Sequence, residues 1–199
     1  MNNDSVKVGE LIMACTKLEP SCFQGRDLLV PIDETHITLG PLKRSRFKDE
    51  PHGPGTWVGA SVNNKSVGFS LFTGLVVDED SNLIYGLSDV VHHCLRRASS
   101  DQKLKEQQRV ARRLLPFEQV SPYAWTMVAA NSHAQLKDAR GVTYLLDRGG
   151  DNFNVIRRIL DLEGADILVR LRFNRKGEEL DTGLKSRLNT LFGARPWQS

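Results

Sequence analysis

Two aspartates each close an apolar, strand-like run. Asp33 follows Leu28-Leu29-Val30-Pro31-Ile32 and precedes Glu34-Thr35-His36-Ile37-Thr38; Asp147 follows Val142-Thr143-Tyr144-Leu145-Leu146 and precedes Arg148-Gly149-Gly150-Asp151. An ionised carboxylate at the end of a buried strand costs desolvation energy unless something pairs with it, and two such groups brought together repel. A divalent cation relieves both costs, because carboxylate oxygens are the hard ligands that Mg²⁺ prefers. The pair therefore points to a metal-dependent nuclease or strand-transfer chemistry.

Other chemistry-bearing residues read more plainly. Asp151 is expected to cap the helix that follows it. Glycines 149 and 150 permit backbone to approach a ligand and equally serve a turn, while Arg148 can pair with Asp147 or contact phosphate. Lys43-Arg44-Ser45-Arg46 follows the first aspartate closely enough to reach phosphate as well. The basic run Lys103–Arg113 reads as a solvated helix face. His92, His93 and Cys94 are consecutive, and consecutive strand residues point to opposite faces, so a structural role is expected for them. His36 is left without a role.

The elements that would carry these groups follow from periodicity. Val6, Val8, Leu11, Ile12, Cys15 and Leu18 suit a short amphipathic helix over 5–18, capped by Asp4 or Ser5. Leu28–Ile32 is a buried strand ended by Asp33-Glu34-Thr35, and residues 40–56 form a Gly- and Pro-rich loop. Strands near 57–62, over 69–77 and over 83–87, with a turn at 78–82, make a meander. A helix from the cap pair Ser121-Pro122 to about Leu136 puts Trp125, Val128, Ala129 and Leu136 on one side. Strand 142–146, a helix with Val155, Ile156, Ile159, Leu160 and Leu162 on its apolar face, and strand 167–173 follow; Leu184, Leu188 and Leu191 suggest a last helical piece. Antiparallel strands followed by β-α-β units imply an α/β protein with a mixed sheet flanked by helices.

The 199 residues amount to one domain, or one domain plus a fragment, and 40% hydrophobic with 26% charged residues is ordinary for a globular protein. A net charge of +3 permits nucleic-acid contact without demanding it. Three cysteines without Cys-x-x-Cys spacing argue against a zinc site or disulfide framework. No apolar run reaches the ~20 residues of a membrane span, and the first residues lack signal-peptide character. A cytoplasmic protein without membrane contact is expected.

Taken together, Ile32-Asp33-Glu34-Thr35-His36-Ile37-Thr38 and Tyr144-Leu145-Leu146-Asp147-Arg148-Gly149-Gly150-Asp151, continuing through Val155-Ile156 to Ile167-Leu168-Val169-Arg170-Leu171-Arg172-Phe173-Asn174-Arg175, resemble the DDE (Asp-Asp-Glu) transposases of bacterial insertion sequences, in the branch with a β-rich insertion domain. The resemblance covers roughly residues 6–190. It implies a ribonuclease H-like fold in which the first strand lies beside the strand that follows the first helix. It divides the chain into a short N-terminal helical segment (1–24), an incomplete catalytic core (25–175) and the start of an insertion domain (176–199).

By the same resemblance, Asp33 and Asp147 are the first two acids of the triad and hold Mg²⁺, or Mn²⁺ in its place. Paired ions of this kind sit about 3.5–4 Å apart and drive in-line phosphodiester displacement. Arg148, Arg170, Arg172, Arg175 and Lys176 become DNA contacts, and the partners become transposon ends, target DNA and a second copy or a full-length transposase. The family's third acid lies in a Tyr-x2-Arg-x3-Glu-x6-Lys pattern that this sequence lacks; Glu178 and Glu179 follow the last strand too closely to replace it. The chain is thus expected to be a transposase interrupted before its third acid, with DNA cleavage and strand transfer as the activity of the complete protein. Two other readings stand beside this one. The chain could be a catalytically inactive regulator that binds DNA or a partner, or an unrelated ribonuclease H-like nuclease that uses Asp33, Asp147 and Asp151.

Overall fold

The computed structural model describes residues 8–41, 59–60, 66–94, 102–171, 176–178 and 185–187. Helix α1 (Val8–Cys15) leads through a 3-10 turn at Pro20–Cys22 into β1 (Asp27–Pro41). Strands β2 (Gly59–Ala60), β3 (Ser66–Asp78) and β4 (Ile84–His93) precede helices α2 (Gln102–Arg113) and α3 (Tyr123–Gln135). Then come β5 (Gly141–Leu146), α4 (Phe153–Leu160), β6 (Ala165–Val169), and a separate two-stranded pair, β7 (Lys176–Glu178) with β8 (Lys185–Arg187).

The main sheet is mixed. β1 is antiparallel to β3 and parallel to β5, β5 is parallel to β6, and β4 and β2 both pair with β3. The order β4-β3-β1-β5-β6 brings the first strand beside the strand that follows α3, as the sequence led us to expect. Period-two alternation sends Leu28, Val30, Ile32, Phe72, Val76, Val142, Tyr144 and Leu146 to one face, where they are buried with Trp125, Val128 and Ala129 of α3 and Val155 and Ile159 of α4. Of the expected core residues, Trp125, Val128, Ala129, Leu136, Val155 and Ile159 are found there with Leu162 packed against them, whereas half-buried Ile156 and Leu160, at 52% exposed, are not. α3 approaches the sheet closely because Gly74, Ser88 and Ser132 are small: the two hydroxyls lie 2.6 Å apart, and the Ser88 hydroxyl donates to the Gly74 carbonyl. Tyr144 Oη donates to the Ala129 carbonyl at 3.1 Å, satisfying the one polar atom of an otherwise apolar contact.

Several local expectations are corrected. β1 does not stop at Ile32; its ladder with β3 continues to Pro41, because the antiparallel neighbour goes on pairing after the parallel one has ended. β4 reaches His93 rather than ending at Leu87. Pro122, not Ser121, occupies the cap position of α3, and no side chain caps it. Asn152, not Asp151, caps α4, its side chain accepting the Asn154 N–H at 2.9 Å. Residues 185–187 form a strand where a helical piece was expected; Leu184, Leu188 and Leu191 lie outside the described residues, as does most of the loop 40–56.

The end of the sheet where β1 begins is held by polar locks. Arg140 pairs with Asp27, tying the start of β1 to the start of β5. Asp78, 1% exposed, accepts the Ser81 N–H at 2.8 Å, the Asp80 N–H at 3.1 Å and the Tyr85 hydroxyl at 2.9 Å. Those donors, Ser81 foremost, with Arg26 nearby, lower its pKa from 3.8 to about 2. A depressed carboxylate contributes stability above its unfolded pKa and loses it as pH falls through the folded value. The thermal midpoint is therefore expected to drop between about pH 4 and pH 2, and Asp78→Asn to lower the midpoint at pH 7 while flattening that acid limb; thermal melts across the range check both.

Candidate functional site

The in-register rows of the three parallel strands place the site. Ile32, Leu146 and Val169 are partners across β1, β5 and β6, so the next residues in line are Asp33, Asp147 and Arg170. Adjacent strands lie about 4.8 Å apart. Two carboxylates and a guanidinium-bearing residue thus follow one another along the C-terminal edge of the parallel strands. This is the edge at which open α/β sheets present ligand sites. Both aspartates are exposed, so the desolvation expected from the sequence does not operate here.

Each position has a local cause. Asp33 stays in the ladder with Thr73 of β3 while β5 departs after Leu146, which opens its β5 side to solvent. Alternation sets it on the face opposite Ile32. Asp147 has extended backbone, and its carboxylate accepts the Gly149 N–H at 2.7 Å, capping the 3-10 turn Arg148–Gly150. The Arg170 N–H donates to the Leu146 carbonyl at 3.0 Å, which fixes its backbone beside Asp147. Arg148 and Arg170 are exposed. Lys176 opens β7, whereas Arg172, Arg175 and Lys43–Arg46 lie outside the described residues.

The turn at Asp147 is buttressed from below. A Cβ at Gly149 would meet the Trp125 ring at 2.9 Å and the Asp147 carboxylate at 3.0 Å. Trp125, 2% exposed, also packs edge-on against Phe72 at 5.6 Å. Gly149→Ala is therefore expected to push the Asp147 carboxylate off its N–H donor, at a stability cost of about 1–3 kcal/mol that a thermal melt beside the wild type checks.

His92 and His93 send their rings to opposite faces of β4, as expected, and the His92 Nε2 lies 3.6 Å from the Cys94 Sγ. The His92 ring lies 5.0 Å from Phe69 on one face, and that of His93 lies 6.1 Å from Phe72 on the other. Burial, with His92 adding to it, pushes the His93 pKa down. His36, given no role from sequence, has its Nδ1 2.7 Å from the Ser70 hydroxyl and 3.6 Å from Glu34. The alternation of β1 and β3 could have shown that contact only once their register was known.

Asp33 and Asp147 offer the oxygen ligand type that a hard divalent cation prefers, at the ends of adjacent strands. Among the described residues no group of three or more His, Cys, Asp and Glu side chains forms a metal-binding set. No described helix is long and apolar enough to cross a membrane. No protein-family model matches the chain, and no curated protein matches it.

Proposed function

We propose that this chain is the ribonuclease H-like core of a DDE transposase of the insertion-sequence type, acting on DNA in the cytoplasm through a Mg²⁺ or Mn²⁺ ion held by Asp33 and Asp147. The observation that carries this reading is the row Asp33–Asp147 on adjacent parallel strands, immediately after the paired residues Ile32 and Leu146. The sheet order, with an antiparallel meander beside three parallel strands, supports it. So does the basic residue Arg170 next in the row.

The residues have distinct tasks. Asp33 and Asp147 would hold the cation, which when bound activates a water or 3′-hydroxyl and stabilises the leaving oxygen of a phosphodiester. The Gly149 N–H orients the Asp147 carboxylate, leaving its other oxygen available. Arg170 and Arg148 supply positive charge for the DNA backbone next to the carboxylates, with Arg172, Arg175 and Lys176 continuing the basic stretch along the chain. A third acid is needed to complete two-ion chemistry, and the Tyr-x2-Arg-x3-Glu-x6-Lys segment is absent from the 199 residues. A second reading is a regulator that binds DNA, another copy or a complete transposase without cutting. The reading as an unrelated nuclease needs Asp151 as its third acid; Asn152 rather than Asp151 caps α4, but Asp33, Asp147 and Asp151 do not form a group of three around one metal position.

One set of assays separates the three. Mn²⁺ binding and nicking of supercoiled plasmid are measured on the wild-type chain and on the Asp33→Asn, Asp147→Asn and Asp151→Asn variants. Cation binding that depends on Asp33 and Asp147 supports the transposase core. DNA binding without any cation dependence supports the regulator. Nicking abolished by Asp151→Asn supports the unrelated nuclease. Wild-type cation affinity in both Asp33→Asn and Asp147→Asn overturns the site.

A further inference from the structure

Strand β6 closes one side of the main sheet. Among the described residues it pairs with β5 alone, so its other edge is free. The Arg170 N–H donates to the Leu146 carbonyl and therefore points toward β5. Backbone direction alternates along a strand, so Asp166 and Leu168 also turn their N–H and C=O groups to β5. Ala165, Ile167 and Val169 turn theirs to the free edge, a row of donors and acceptors open to another strand.

Sheet edges are normally blunted by bulges, prolines or lysines. On the opposite side of the sheet, β4 is interrupted by two register shifts against β3. β6 carries no such device. Its register with β5 runs unbroken over five residues, and its sequence Ala-Asp-Ile-Leu-Val holds neither Pro nor Lys. Leu168 is 67% exposed, and the exposed charges Asp166 and Arg170 flank it on the same face.

The order acid, leucine, base is self-complementary. An antiparallel second copy centred on Leu168 puts Leu168 against its own mate and sets Asp166 of each copy opposite Arg170 of the other. The same alignment sets Ile167 opposite Val169, two residues whose backbone groups face the edge. One register therefore satisfies the hydrogen bonds and the side-chain pairs together. A centre on Ile167 would set Asp166 against Leu168 and leave both charges without a mate.

Helix α4 supplies a second, independent reason. It crosses over from β5 to β6 and buries Val155 and Ile159 on the sheet. Arg158 marks the flank that faces α3: its guanidinium lies 5.4 Å from the Tyr123 ring and pairs with Glu118. At about 100° per residue, Ile156 and Leu160 fall on the opposite flank, toward the free side of β6, with Phe153 beside them. Phe153 and Leu160 are exposed there. A two-fold axis at the β6 edge lays the two α4 helices side by side on one face of the joined sheet. With strands about 4.8 Å apart, the helix axes come about 10 Å apart, a packing distance.

We infer that two copies of this chain join edge to edge through β6, antiparallel and centred on Leu168, with α4 packed against α4. The inference goes beyond the transposase reading and stands without it. Arg170 keeps donors for a phosphate in such a dimer, because a guanidinium has five and a carboxylate takes two.

Sedimentation equilibrium of the full chain in EDTA reads the assembly without engaging the carboxylate site. Wild type is expected to sediment as a dimer of 22.3 kDa chains at micromolar concentration. Leu168→Lys sets two like charges face to face at the axis and is expected to raise the dissociation constant at least about 100-fold. Leu160→Lys, on α4, is expected to raise it about 10-fold. Both positions are exposed, and thermal melts check that each variant is folded. Asp166→Arg and Arg170→Asp should each weaken self-association about 10-fold, because each opposes like charges at both ends of the pair. Mixed one to one, these two variants are expected to regain wild-type affinity as a heterodimer, since every contact then joins opposite charges. A monomeric wild type, as when another segment of the chain covers the edge, overturns the inference. So does a dissociation constant unchanged in folded Leu168→Lys or Leu160→Lys, or a mixture that associates no more tightly than its two components alone.

Discussion

Replacing either Asp33 or Asp147 by Asn is expected to weaken Mn²⁺ binding by at least about 10–100-fold. That is the loss seen when even an outer-shell partner of a metal ligand is removed, and these two would be direct ligands. Asn keeps the size and one acceptor oxygen but removes the charge on which a hard cation depends. The companion result concerns stability. Both aspartates are exposed, and their backbones lie about 4.8 Å apart on adjacent strands. With no cation present, neutralising one of them removes repulsion and buries nothing new. The Asn variants should therefore melt at or above the wild-type temperature in EDTA. Wild type alone should gain on adding Mn²⁺, by about 2.7 kcal/mol at one hundred times the dissociation constant. If these carboxylates were only turn residues, the variants would melt lower in EDTA and Mn²⁺ would move neither protein. Melts with and without the ion distinguish the two outcomes.

The second large effect is expected at Trp125. Its ring is buried between Phe72 of the sheet and Gly149 of the Asp147 turn, so one side chain joins α3, β3 and the candidate site. Trp125→Ala should destabilise the fold by about 3–5 kcal/mol through lost burial and the cavity left behind. In a chain of this size that lowers the melting midpoint by about 10 °C. Trp125→Phe retains part of the stacking on Phe72 but does not fill the space below Gly149, so it should cost less stability. Its effect on Mn²⁺ affinity should be larger than its effect on melting, because the turn that orients Asp147 loses its support. Chemical denaturation of both variants, with Mn²⁺ titration of the Phe variant, checks this ordering. Equal stability of Trp125→Ala and wild type would mean that α3 is not seated on the sheet through this ring.

The sequence by itself determined the elements whose periodicity is strong and local. The alternation in Leu28–Ile32 and Val142–Leu146 fixes two strands with one apolar face each, and the spacing of Trp125, Val128, Ala129 and Leu136 fixes the buried side of α3. The two aspartates could be singled out because a charge that directly follows an apolar strand is unusual wherever the strand goes.

Tertiary structure decided the remainder. Whether Asp33 and Asp147 meet depends on β1 pairing in parallel with β5 in a register that aligns Ile32 with Leu146, and strand neighbours are chosen by long-range packing that no local pattern encodes. The length of β1 was set by the reach of β3, and that of β4 likewise by its pairing with β3, since hydrogen-bonding partners extend a strand past the point where its own alternation fades. The cap of α4 fell to Asn152 instead of Asp151, which closes the 3-10 turn that Asp147 opens. The exposure of both carboxylates was likewise invisible in sequence: burial of the strands stops at Ile32 and Leu146, and beyond that row the sheet edge opens to water.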